Sequence, residues 1–112
     1  MPSQGDIVLI PVPFTDLSST KRRPVIISSN DAYHQTTTDM VVVAMTFNPA
    51  ALPYSFTVNT ADLQTGVLNR TSTVRVDKIY TLSQSLAVRT FGKVNDQTLD
   101  RIRHLLQALI TK

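Results

Sequence analysis

Residues 40–47 read MVVVAMTF, and this stretch decides the fold class. Three consecutive valines favour extended backbone, because a β-branched side chain loses rotamer freedom in a helix and packs well on a pleated surface. The apolar run from Met40 through Met45 shows no alternation, so it reads as a strand covered on both faces and central in a sheet. It is also far shorter than the ~20 residues a bilayer needs.

Working outward, residues 7–14 (IVLIPVPF) and 24–29 (PVIISS) read as the first and second strands. Pro11 and Pro13 delete donors on one side of the first strand, so its end is expected to be unpaired along that edge. The intervening residues 15–22 (TDLSSTKR) are too polar for a core element and long for a tight hairpin, and are expected to form a mobile loop. Asn30 and Asp31 read as a turn closing the second strand.

Downstream, residues 54–58 (YSFTV) alternate as a half-buried strand should, and residues 61–68 carry Gly66 as the cap of a helical turn. Residues 72–76 (STVRV) and 78–82 (KIYTL) supply further β material, and residues 89–94 (RTFGKV) a final strand with Gly92 as a candidate bulge. One helix is clear. Asn95 or Asp96 caps it, and Leu99, Ile102, Leu106 and Leu109 form one stripe with Leu105 beside it. The expected fold is mainly β, a single domain over residues 1–112. Its form is a small SH3-like barrel or curled antiparallel sheet with a C-terminal amphipathic helix packed against it.

The chain has 112 residues, room for one domain, and 42% of them are apolar, enough for a real core. Its 11 Lys and Arg face 8 acids, all of them Asp, for a net charge of +3. Residues 1–56 hold three bases and four Asp, whereas residues 57–112 hold eight bases and four Asp. With no Cys and two separated His, thiol nucleophiles, disulfides and Cys-ligated metals drop out. The amino terminus has neither a basic region nor an apolar signal segment, so a soluble, cytoplasmic protein without a membrane span is expected.

No Gly-rich phosphate loop, H-E-x-x-H or nucleophile elbow is present. What remains is a basic cluster, Lys21, Arg22 and Arg23, at the mouth of the second strand, and the pair Arg75 and Asp77. Guanidinium forks suit phosphate because they donate two parallel hydrogen bonds to its oxygens. The competing reading is that the basic cluster only solvates a loop end.

The pattern resembles the MazF/PemK (Kid) family of bacterial toxin endoribonucleases. The resemblance rests on Gly5-Asp6-Ile7-Val8, Arg23-Pro24-Val25-Ile26-Ile27 and Val43-Ala44-Met45-Thr46. It continues through Val74-Arg75-Val76-Asp77-Lys78-Ile79, Thr81-Leu82 and Gly92-Lys93-Val94 before the helix. These pieces follow the family's order and spacing over nearly the whole chain. Each piece is common; their ordered combination is fairly specific.

The resemblance implies a dimeric, sequence-specific ribonuclease that cuts single-stranded mRNA with no metal and no cofactor, halting translation and growth, and that a small acidic antitoxin protein silences. The ribose 2′-hydroxyl attacks the adjacent phosphate, leaving a 2′,3′-cyclic phosphate and a 5′-hydroxyl. Arg23 and Thr46 match the positions assigned to catalysis in MazF-like members, and Arg75 and Asp77 match the pair assigned in PemK-like members. With a pKa above ~12, Arg23 is a donor to the phosphoryl group rather than a base. Asp77 is the better base on its chemistry, or a structural partner of Arg75 or Lys78. Lys21 and Arg22 could hold the RNA backbone with Arg75, and Phe14, Phe47 or Tyr80 could stack a base if exposed. PemK-like members place a His in the loop after the first strand, and residues 15–22 contain none. His34 reads as a surface residue in a polar turn, and His104 as a solvated edge of the helix. Two other functions stay open: a gyrase-poisoning toxin of the CcdB type, and an inactive small-barrel module that binds RNA or a peptide.

Overall fold

A computed structural model describes residues 2–11 and 22–112. The expected loop, apart from Arg22, lies outside the described residues, as do Pro13, Phe14 and Lys21. Seven strands form one antiparallel sheet: β1 (Asp6–Pro11), β2 (Arg22–Ile27), β3 (Asp39–Thr46), β4 (Ser55–Val58), β5 (Leu63–Gly66), β6 (Ser72–Ser83) and β7 (Arg89–Val94). Two helices, α1 (Asp31–Thr36) and α2 (Asp96–Ile110), complete it. The order across the sheet is β4-β6-β3-β2-β1-β7-β5, so the sheet curls but leaves β4 and β5 as edges. The mainly β class and the terminal helix are as expected; β3 is an interior strand, with β2 at the centre.

Side-chain alternation splits the core into two layers. Ile7, Ile26, Val43 and Met45 face one side, where α2 seals them with Leu99 and Ile102. Val8, Val25, Ile27, Met40 and Val42 face the other. This two-sided burial is why residues 40–45 are apolar without alternation. Truncating a fully buried aliphatic such as Ile26 to Ala would cost about 2–5 kcal/mol.

Several local expectations change. The second strand begins at Arg22 and ends at Ile27, because Arg22 pairs with Pro11 and Arg23 with Ile10. Pairing of β1 with β7 stops at Leu9, which leaves Pro11 bonded on one side only, as its missing donor requires. Asn30 is not a plain turn residue: it caps α1 by accepting from the Tyr33 amide at 2.8 Å. The two strand pieces around Asp77 are one strand with a register break, since Ala44 opposes Arg75 while Val43 opposes Ile79. Gly66 ends a strand rather than a helical turn. Its φ of +95° and the 2.7 Å between a notional Cβ and the Phe91 carbonyl oxygen exclude a side chain there. Asn95, not Asp96, caps α2 through the Thr98 amide at 2.8 Å.

Candidate functional site

Strand register brings distant residues onto one face. Arg23 opposes Ile10, Val25 opposes Ala44, and Ala44 opposes Arg75, so Arg23 and Arg75 project on the side away from α2. Thr46 shares that face, two residues beyond Ala44 on β3. Together with Lys78 and Tyr80 these side chains line a groove of about 270 Å³. The break in β6 places Asp77 and Lys78 in the extra residues, where they are exposed rather than buried in the ladder.

Asp77 holds Arg75 in a two-point grip. Arg75 Nε donates to Oδ1 at 3.0 Å and Nη2 donates to Oδ2 at 2.8 Å. The hydrogen bond from Arg75 lowers the Asp77 pKa, and the same bond raises that of Arg75. Both groups are therefore charged at neutral pH, and the carboxylate's oxygens are occupied by the fork. Arg22 and Arg23 are exposed and make no ion pair with a described residue.

The Thr46 hydroxyl donates to the Asn48 carbonyl at 3.0 Å and accepts from the Asn48 amide at 3.2 Å. Fully buried Thr73 adds a second bond to the same carbonyl at 2.7 Å and accepts from the Ala50 amide at 2.9 Å. These four bonds fix the turn after β3. Phe47, 40% exposed, is carried on that turn at the lip of the groove, beside Arg22 and Arg23. Lys78 was not singled out as a groove residue from sequence. Its membership depends on the strand break, whose place the sequence marks only by Asp77 between two β stretches and whose register it does not show.

His34 differs from its expectation. It is 4% exposed, with Nε2 at 2.5 Å from Ser29 Oγ and Nδ1 at 3.7 Å from Asp31 Oδ1. The trio resembles a nucleophilic triad in composition only. Ser29 Oγ accepts from the Val41 amide and donates toward the Val41 carbonyl, so it ties α1 to β3. His104 is exposed on α2. Among the described residues, no three His, Asp or Glu side chains gather into a metal-binding cluster.

Residues 3–110 match the family described as PemK-like, MazF-like toxin of type II toxin-antitoxin system. The chain belongs to this toxin family. The toxin is similar in structure to an endoribonuclease from a mycobacterial species in complex with its cognate antitoxin, with 26% identity and a TM-score of 0.73 over 96% of this chain and 93% of that one. An endoribonuclease from a mycobacterial species gives 26% identity and 0.72 over 96% and 88%. A MazE-MazF complex from Deinococcus radiodurans gives 21% and 0.73 over 97% and 94%, a likeness of fold. No curated protein matches the chain. Among the described residues, no helix is long and apolar enough to cross a membrane.

Proposed function

We propose that this toxin is an endoribonuclease that cuts single-stranded RNA at the groove between Arg23, Thr46 and Arg75, without a metal or cofactor. The observation that carries this reading is the convergence of two guanidinium groups from β2 and β6 beside a β3 threonine on one face of the sheet. Cations in fixed positions suit the extra negative charge that develops on phosphoryl oxygens when a ribose 2′-hydroxyl attacks the neighbouring phosphorus. The bond to the 5′-oxygen then breaks, the 2′-hydroxyl proton passing to solvent water and the departing oxygen taking a proton from water, which gives a 2′,3′-cyclic phosphate and a 5′-hydroxyl. Arg23 and Arg75 are the donors, and Thr46, whose hydroxyl proton goes to the Asn48 carbonyl, holds the turn after β3 at the groove wall. Asp77 is read as the positioning residue of Arg75, because its lowered pKa and occupied oxygens make it a weak proton acceptor. Arg22 holds the RNA backbone, with Lys21 beside it in sequence.

An acidic antitoxin suits the same cationic groove, and the toxin acts as a homodimer in the cytoplasm. The test uses a single-stranded RNA in EDTA, with the product ends mapped. Cyclic phosphate and 5′-hydroxyl ends are expected, and a 2′-deoxy sugar at the cut site blocks cleavage. Cutting of the deoxy-substituted strand would exclude 2′-hydroxyl attack. Light scattering at micromolar concentration should report a dimer mass; a monomer there removes the dimer.

A further inference from the structure

A second concavity, of about 580 Å³, opens on the α2 side of the same end of the sheet, more than twice the volume of the groove around Arg23. Its apolar walls include Phe47 and Phe91, with ring centroids 6.2 Å apart and planes inclined at 52°. The rings therefore make a tilted pair with room above Phe47, rather than a closed stack. Both are held in place. Phe47 rides on the turn fixed by Thr46 and Thr73, and Phe91 is the extra residue where Ile7 opposes Gly92 but Val8 opposes Thr90.

The polar rim has one sign. Arg70 and Arg89 are exposed and form no ion pair with a described residue. The side-chain amides of Asn48 and Asn69 line the same space and make no hydrogen bond to a described residue, so their donors and acceptors are open. An aromatic platform, open amides and unpaired arginines together match an unpaired nucleotide: π-face, base edge and phosphate. An apolar peptide side chain would use the rings and leave the arginines idle.

The two concavities are adjacent, joined by shared lining residues. A third, of about 290 Å³, is lined by Arg23 and Thr46, which it shares with the first, and by Phe47 and Asn48, which it shares with the second. We infer that Phe47 and Phe91, flanked by Arg70 and Arg89, form a base-stacking subsite for a nucleotide of single-stranded RNA near the scissile phosphate, with Asn48 and Asn69 reading the base edge. The inference rests on the ribonuclease reading for its ligand.

The test measures anisotropy of four uncleavable 2′-O-methyl octanucleotides, one for each base, with intact protein. The wild type should prefer one base. Phe47→Leu and Phe91→Leu, each checked for native circular dichroism, should lose about ten-fold in affinity for all four octamers, since aromatic stacking is strong but sequence-tolerant, whereas Asn69→Ala should flatten the preference. Arg89→Ala should weaken all four alike and reduce the salt dependence. Unchanged binding by the exposed-ring variant Phe47→Leu overturns the subsite, as does a loss confined to capture of an acidic antitoxin peptide. Cleavage of natural RNA is assayed on the same preparations. If the wild type cuts RNA and both Phe→Leu variants bind and cut as it does, the subsite falls and the nuclease stands; if it binds the octamers as described but cuts nothing, the nuclease falls and the subsite stands. Failure to bind any octamer overturns the subsite.

Discussion

β2 and β3 each run between two polar clusters that solve opposite problems. At one end, Ser29, His34 and Gln84 turn their groups inward: Gln84 Nε2 alone faces the carbonyls of His34, Thr37 and Asp39 at 3.0–3.1 Å. At the other, Arg23, Arg75 and Lys78 line an open groove beside which the Asp77 carboxylate is spent on holding Arg75. An inward polar atom without a partner costs stability, and the cluster is closed except at His34 Nδ1, which has no hydrogen-bond partner among the described residues. Donors kept in water cost little to leave open, and they are the ones available to a ligand. The resemblance of Ser29, His34 and Asp31 to a catalytic trio is thus a matter of composition, whereas the open end carries the chemistry.

The largest effect should come from the open end. Arg23→Ala should lower the RNA cleavage rate by ~10²–10³-fold, the usual consequence of removing a donor to a developing oxyanion. Its thermal midpoint should stay near the wild type's, because surface substitutions are typically worth within about 0.5 kcal/mol. A fall in stability with little loss of rate would reverse the contrast between the ends. At the closed end, Gln84→Ala should cost about 2–3 kcal/mol in denaturant unfolding by uncovering carbonyls. Its cleavage per folded molecule should not change, and a large rate loss would give the closed end a direct part in catalysis.

Asp77→Asn sharpens the open end further. It should reduce kcat by about ten-fold by loosening the Arg75 fork, with Asp77→Glu restoring part of it. The pH dependence follows from the sign of the shift. Asp77 has a pKa lowered from 3.8 by its bond from Arg75, so its stabilising contribution is complete above that value and disappears only as pH falls below it. Rate profiles of wild type and Asp77→Asn should therefore run parallel from pH 5 to 8 (about one to four units above an ordinary carboxylate pKa). A wild-type limb in that range that vanishes in Asp77→Asn would make Asp77 the base. The smallest effect is expected at a place belonging to neither end: Asn95→Ala, which removes the α2 cap, should cost ~1 kcal/mol and leave cleavage unchanged.

Much of the frame was legible in the residues. The unalternating run at 40–45 marked an interior strand, the residues at 89–94 a terminal strand, and the Leu99–Ile102 stripe the helix face. What stayed hidden depended on register. The register offset at the break in β6 is a three-dimensional event, and it brings Lys78 into the groove; a separate break between β1 and β7 sets Phe91 out of the ladder. His34 was misplaced because a six-residue helix capped by Asn30 looks like a polar turn until Ser29 and Gln84 close over it. Arg23, Thr46 and Arg75 carried no signal of proximity in their spacing; the family pattern singled them out, and strand pairing put them together.

The most direct test of the open groove is a crystal structure of the toxin with a 2′-O-methyl single-stranded RNA. It should show one phosphate about 3 Å from the guanidinium groups of both Arg23 and Arg75, the ordinary length of a charge-assisted hydrogen bond. A backbone path that leaves this groove empty, with the phosphates held elsewhere on the sheet, would contradict the assignment of catalysis to it.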